Sequence, residues 1–563
     1  MIRLWINRVK EVVVVLLLLA AVCSLLSVVG VVTLELPVGE NVGQWMWLGK
    51  SILFSAACII ITCLLQLVKR DSLKKVLCFF HFSVYVSWSL VLWGSVEAVW
   101  GLRQLYGFSA SGHSRYALTG SFFNPGPYAG YLAMVLPVCL HLYLRARKER
   151  FVRYKIEKVV VAVAGILILC VLPATMSRSA WVAAAVGCGW VAYMHRDKSK
   201  WNVLWKRYKR RFILWGVSAL FILMLGGAGA FLLKPDSALG RLFLWKITCR
   251  AVVSYPSGCD KGFAFAYGEA QEDYFAQGNY AEWEERVAGS PEYVFNEYLS
   301  LALAEGVAVC LIVLIVIGTC LWIGAKRGRY GICGAILSLL IFSFSSYPMC
   351  FPAFVVAGVF LLLACGIGDV IGKPLVLCVC LVLWAGDSME KWRQEEDACR
   401  KWVYAKMFYS SGAYKVANKS YGELYPALKE KGVFLFEYGH SLHKSGFYNE
   451  SNKYLKEACL YSTDPMVMNI IGKNYQELHR YEQAEAFFLR SVHRLPGRIY
   501  PYYLLANLYA EPEFYRPDKL KEVANVVLTK EPKVHSTAIE EMRKEIKENS
   551  KRTGMIEWKE EPE

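Results

Sequence analysis

The chain has 563 residues, of which 55% are apolar and 20% charged, with a formal net charge of +17 and a mean hydropathy of +0.31. That apolar share is too high for a soluble enzyme of this length, so lipid is expected to be its main solvent. The Lys and Arg residues fall in short clusters between apolar runs rather than on one soluble domain, which reads as topology signalling and argues against nucleic acid as a partner.

A bilayer core takes roughly 20 apolar residues per helix. Apolar runs at 12–32, 45–68, 76–100, 128–144, 159–175, 180–194, 212–233, 298–323, 330–344, 351–371 and 375–385 therefore predict about eleven spans, the last and shortest following Pro374. Arg3, Arg8 and Lys10 precede the first run, as in a signal peptide. That run exceeds the ~7 to 15 apolar residues of a signal peptide, so it is expected to remain as an uncleaved span. Cations gather on the cytoplasmic side of a membrane. Here they gather in alternate connections: Lys69, Arg70, Lys74 and Lys75; Arg145, Arg147, Lys148, Arg150, Arg153 and Lys155; the run at 196–211; and Lys326, Arg327 and Arg329. This parity places the N-terminus inside. It places a long loop at 234–297, and everything after 386, outside.

Most of the 18 cysteines, among them Cys23, Cys58, Cys63, Cys170, Cys188 and Cys310, sit in apolar runs, where a thiol behaves as a small hydrophobe. No cysteine pair has structural-zinc spacing backed by a second pair, so no metal site is expected. Cys249 with Cys259, and Cys399 with Cys459, stay open between disulfides and free thiols.

The sequence lacks a metalloprotease, phosphate-loop, serine-hydrolase or dinucleotide motif. Chemistry is sought instead among polar residues at the outer ends of spans, where irregular backbone must line a cavity or be buried in protein. The first group is the turn 119–127, with Gly120, Asn124, Pro125 and Pro127 feeding directly into the fourth span. The second is Ser177, Arg178 and Trp181, a cation at the mouth of a span. It reads either as an anion site or as an interfacial anchor with its tryptophan in the aromatic belt. The third opens the long loop with Arg241 and Lys246 and reaches the turn Pro256, Gly258, Lys261 and Gly262, a candidate for holding an anion on backbone N–H groups. The loop closes on Asn296, Glu297 and Tyr298, with Glu305 and Gly306 nearby.

From about 387 the composition becomes soluble and helical. Leu435, Tyr438, Gly439, Leu442, Gly446, Tyr448, Leu455 and Ala458 return as Met468, Ile471, Gly472, Tyr475, Tyr481, Ala484 and Phe488. A looser copy runs from Tyr502 to Pro532. This spacing resembles the tetratricopeptide repeat, a stack of antiparallel helix pairs. The expected fold is all-α: a polytopic bundle over 1–386, a helical repeat domain over 387–535 and a charged helical tail over 536–563.

Taken in order, the membrane motifs resemble the O-antigen ligase superfamily, which includes O-antigen ligases, O-antigen polymerases and protein O-oligosaccharyltransferases. The matching parts are the turn at 120–125, Ser177, Arg178 and Trp181, the helix led by Arg241, the turn at Gly258, and the ending from Asn296 to Gly306. The resemblance covers roughly 80–370, and some members carry tetratricopeptide repeats after the membrane domain. It implies a multi-pass protein of the bacterial inner membrane with a periplasmic site and a periplasmic repeat domain. It also implies an enzyme that takes a glycan from undecaprenyl diphosphate and passes it to an acceptor hydroxyl. Arg178 and Arg241 match the diphosphate-binding arginines, with Asn124, Gly258, Lys261 and Asn296 in support. No cofactor or divalent metal is then needed, because guanidinium groups can hold a diphosphate by charge-assisted hydrogen bonds. The partners implied are the lipid-linked glycan, membrane lipid, and a protein partner or acceptor at the repeat domain.

The family carries a His-x-His-Asn sequence before the helix that follows the long loop; here those positions read Tyr293, Val294, Phe295 and Asn296. Three outcomes stay open: Glu297 acts as the base, another residue such as His113 does, or catalysis is lost. Glu297 also reads as an N-terminal acid favouring the helix dipole. The competing function is a non-catalytic membrane scaffold presenting its repeat domain to protein partners.

Overall fold

The computed structural model describes residues 2–32, 42–67, 82–147, 152–196, 207–210, 235–366 and 374–552. Every regular element among the described residues is a helix. Contacts divide the chain into two units. Unit 1 holds Met1–Ala219, Phe295–Tyr298 and Cys310–Arg400, and unit 2 holds Leu220–Val294, Leu299–Val309 and Lys401–Glu563.

Unit 1 is built from α1 (Ile2–Leu26), α2 (Val42–Leu67), α3 (Phe82–Leu105), α4 (Pro125–Arg147), α5 (Val152–Val171) and α6 (Arg178–His195). It continues after the long loop with α11 (Val307–Lys326) from Cys310 onward, α12 (Tyr330–Ser343), α13 (Pro352–Gly366) and the first part of α14 (Pro374–Ser410). Among the described residues, six stretches are long and apolar enough to cross a membrane: Val12–Gly30, Val42–Thr62, Phe82–Leu105, Pro125–Ala146, Tyr154–Thr175 and Val307–Lys326. The chain is a multi-pass membrane protein. The Pro125–Ala146 stretch is 72% buried and the Val307–Lys326 stretch only 11%, so α4 forms the centre and α11 turns apolar side chains outward, as a lipid-facing helix does.

Small residues let the central helices approach closely. A Cβ on Gly187 of α6 would overlap Ser338 of α12, and one on Gly130 of α4 would overlap Phe342. Ser338 donates from Oγ to the Ala183 carbonyl at 2.9 Å. At the other end of the same helices, His141 lies against Gly331, and its Nδ1 is 2.9 Å from Nε2 of His195. α4 and α6 therefore run the same way and α12 runs against them.

One expectation changes. The run 298–323 is not one helix: Gly306, with φ +96°, separates α10 (Glu297–Glu305) from α11. The 330–344 run appears as α12, and the part of the 351–371 run among the described residues as α13. The run 212–233 and the cations Lys69, Arg70, Lys74 and Lys75 lie outside the described residues, as do most of 196–211 and the last eleven positions. Side chains of 375–385, within the first turns of α14, lie outside them too.

Unit 2 joins the long loop to the C-terminal helices. The loop folds into α7 (Pro235–Ser254), α8 (Phe263–Ala276) and α9 (Glu282–Val287). Beyond Lys401 come α15 (Tyr414–Leu428), α16 (Gly432–Lys444), α17 (Tyr448–Tyr461), α18 (Met466–Glu477), α19 (Tyr481–Arg494), α20 (Ile499–Ala510), α21 (Pro517–Thr529) and α22 (Thr537–Arg552). Successive helices pack as hairpins, with Gly439 against Leu455 and Gly472 against Phe488, where any Cβ would overlap the larger side chain. The tail helix α22 is docked: Ile546 is buried with Ala506, Ala524 and Val527, and Arg543 donates to the Val527 carbonyl. All cysteines among the described residues are free thiols, including Cys249, Cys259, Cys399 and Cys459.

Candidate functional site

Unit 1 gathers several motif residues at one end of its bundle, the end where α4 and α6 begin and α12 finishes. The turn before α4 is clamped from α3. Gln104 accepts the N–H groups of Thr119 and Gly120 at 2.9 and 2.7 Å, and its Nε2 donates to the carbonyls of Gly120 and Ala110 at 2.9 and 3.1 Å. Glu97, 1% exposed, accepts the Ser121 N–H at 3.1 Å, and Tyr128 donates to the Glu97 carbonyl. Asn124 accepts the Gly126 N–H at 2.9 Å and so caps α4.

Glu97 and Gln104 did not figure among the sequence candidates. The available signal was an acid inside an apolar run, which is costly unless it has a task. Gln104→Ala leaves buried N–H and C=O groups of the turn without partners. It is expected to destabilise the protein by about 3 kcal/mol, read as a lowered Tm in detergent.

Arg178 is the first residue of α6 and is exposed. The preceding helix ends in a 3-10 turn at Leu172–Thr175, and Met176 takes a left-handed φ of +53°. Trp181 closes this corner by donating from Nε1 to the Leu172 carbonyl at 2.9 Å. A cation in the first turn opposes the helix dipole, so Arg178 and the N-terminus of α6 add their positive potential in one place.

Glu297 opens α10 at the same end of unit 1. Tyr298 donates to the carbonyl of Leu340, near the end of α12, at 2.8 Å, and Glu297 Oε1 accepts the Met349 N–H at 2.8 Å. Asn296, 5% exposed, caps the helix through its Oδ1 and the Tyr298 N–H at 3.0 Å. Phe295, with φ +52°, meets Tyr347 edge-on at 5.0 Å. Tyr347 reaches Phe351 at 5.8 Å, and Phe351 touches Phe122 and Phe123 of the Asn124 turn at 5.5 and 6.0 Å. A chain of rings thus joins the turn before α4 to the carboxyl. Burial pushes the Glu297 carboxyl up to about 7, against the opposing pull of the Met349 N–H.

In unit 2, Arg241 is half-buried on α7. One face of this helix is fixed by Lys246, which donates to Tyr274 Oη at 2.7 Å and to Glu284 Oε1 at 2.5 Å, while Tyr274 donates to Glu284 Oε2 at 2.6 Å. The Gly258 turn grips the break after α10. Cys259 donates to the Leu303 carbonyl at 2.8 Å, and Val307 donates to the Pro256 carbonyl at 3.0 Å. Gly258 has φ +100° and lies so close to the Ala304 carbonyl that a Cβ would come within 2.6 Å. The Gly258 and Gly262 N–H groups donate to Tyr255 and Cys259, so these donors serve the turn itself. Lys261 is exposed and sits over the Phe265 ring at 4.2 Å.

Asn124, Arg178, Asn296 and Glu297 thus belong to unit 1, and Arg241, Gly258 and Lys261 to unit 2. Residues 163–314 match the O-antigen ligase family model. This stretch is an O-antigen ligase domain. No curated protein and no solved structure matches the chain. The O-antigen ligase domain contains Arg178, Arg241, Gly258, Lys261, Asn296, Glu297 and Gly306, whereas Glu97, Gln104 and Asn124 precede it. Enzymes of the O-antigen ligase family join or polymerise glycans, with lipid-linked glycans as substrates in general.

Proposed function

We propose that the chain is a glycosyltransferase of the bacterial inner membrane that moves a glycan from undecaprenyl diphosphate to an acceptor hydroxyl on the periplasmic side. The carrying observation is a carboxyl of raised proton affinity, Glu297, inside an O-antigen ligase domain and at the bundle end where Arg178 opens α6. In this reading Glu297 takes the proton of the acceptor hydroxyl. The acceptor oxygen forms a bond to the anomeric carbon as the sugar–phosphate bond breaks, and undecaprenyl diphosphate leaves with the electron pair. Arg178 and Arg241 are each assigned to the diphosphate, whose charge grows in the transition state. Asn124 and Asn296 hold the helix starts, Gly258 holds the loop turn, and Lys261 adds positive charge. The reaction so written uses no cofactor.

The helix pairs over 387–535 are read as tetratricopeptide-like, supported by the matched packing of Gly439 and Gly472, with 1–386 as the membrane domain and 536–563 as the tail. They offer a surface for a protein partner or a protein acceptor. The scaffold reading draws on one observation, the replacement of the family's histidines by Tyr293 and Phe295. Removing the repeat helices would not separate the two readings, because the loop helices share unit 2 with them.

Deleting the gene and running the membranes on parallel gels, one for lipopolysaccharide ladders and one for glycoprotein staining, tests the proposal. One of the two patterns is expected to lose its polymeric or glycosylated bands. Unchanged patterns in both, with unchanged extracellular polysaccharide, would rule out glycan transfer.

A further inference from the structure

Within unit 2 the loop helices are seated on the repeat helices through a buried ion pair. Glu272 of α8 meets Arg494 and Arg490 of α19, and the Arg494 side chain is only 3% exposed. The neighbouring Gln271 donates from Nε2 to the Arg494 carbonyl and to the Gly289 carbonyl. Gly268, one turn earlier on α8, lies under the guanidinium: a Cβ there would come within 2.7 Å of Arg494 Nη2. Glycine is costly inside a helix, and here it makes room for a cation that arrives from more than two hundred residues away in sequence.

Two further ties fix the same segment. Lys530, just after α21, pairs with Glu285 of α9 at 2.5 Å, and Thr463, between α17 and α18, donates to the Pro291 carbonyl at 3.1 Å. The path onward to α7 is short and packed. Phe243 touches Tyr274 and Phe275 of α8 at 5.9 and 5.5 Å, and Lys246 is bonded to Tyr274 and Glu284. Arg241 stands on this helix, before Phe243.

We propose that Glu272 and Arg494 are positioning residues: through them the repeat helices set the placement of α7 and hence of Arg241 for the lipid diphosphate. A buried ion pair adds little net stability over well-packed apolar side chains, but it penalises any register that separates its partners. That is the property a positioning contact needs. The repeat helices are on this account part of the catalytic apparatus as well as a surface for partners. The inference rests on the proposed role of Arg241.

The test uses the full-length protein in detergent with undecaprenyl diphosphate as the binding probe, alongside hydrogen exchange over 235–294. Glu272→Gln is expected to speed exchange in α7 and α8, to weaken binding about tenfold and to lower kcat at saturating donor as well, because Arg241 serves the charge that grows on the departing diphosphate. Glu272→Asp should recover most of the affinity. If Glu272→Gln fails to fold, Thr463→Val, which removes one tie and no charge, should give the same pattern at a few-fold. Unchanged affinity with faster exchange would overturn the positioning role, and unchanged exchange would overturn the coupling itself. Arg241→Ala separates this from the functional reading: if it binds the probe as wild type does, the assignment of Arg241 fails, while the exchange result still reports on the seam.

Discussion

Membranes carrying Arg178→Ala or Arg241→Ala are expected to transfer lipid-linked glycan roughly 100- to 1000-fold more slowly than wild type, the loss typical of removing one preorganised donor to developing negative charge. Arg178 stands where a cation is least comfortable, at the positive end of α6. The arrangement makes sense when an anion arrives to be shared between the guanidinium and the positive end of the helix. A lysine at either position keeps the charge but loses the planar fork that grips two phosphate oxygens together. Arg178→Lys and Arg241→Lys should therefore fall between wild type and the alanine variants. Transfer rates measured in inverted or solubilised membranes with the native lipid-linked donor decide this, and full activity in either alanine variant would remove that arginine from the diphosphate site.

Glu297→Gln should lower transfer by roughly 100- to 10,000-fold, the span of general-base contributions. In the wild type the rate should rise with pH and level off above about 7, because burial holds the carboxyl protonated up to that value and only the ionised form accepts a proton. Stability runs the opposite way. With a folded value of about 7 against an ordinary 4.5, the group's contribution is most favourable below 4.5 and is lost as pH rises through 7. Glu297→Gln keeps an oxygen for the Met349 N–H and carries no charge, so at pH 8 its Tm should equal or exceed that of wild type. A variant that loses transfer while holding its Tm marks a chemical role. One that keeps transfer and the same pH profile would return Glu297 to a helix-end acid.

Several elements were legible before any coordinates. The apolar runs that became α1 to α5 announced themselves by length, since crossing hydrocarbon requires it. The glycines at 439 and 472 announced a hairpin stack, because close helix contact leaves no room for a side chain. The Asn124 position was legible as a helix start from turn chemistry and Glu297 as a helix-start acid, although the capping bonds of Asn124 and Asn296 were not. The run at 298–323 misled, because Gly306 breaks a helix without interrupting the apolar pattern: hydropathy registers solvent preference and is blind to φ. Glu97 and Gln104 were missed for a related reason, as each is a single polar residue whose partners, the N–H and C=O groups of the 119–121 turn, carry no side-chain signature.

What the sequence by itself determined is therefore what depends on solvent and local geometry: a multi-pass all-helical chain, its more charged helical C-terminal part, and the set of polar residues clustered near the ends of spans. The tertiary structure alone decided which of those residues meet. The ring chain from Phe123 to Phe295, the burial that raises Glu297, and the seat of α8 on Arg494 all join segments far apart in sequence. Such contacts arise from packing and desolvation, which are properties of neighbours in space, and no periodicity in the chain encodes them.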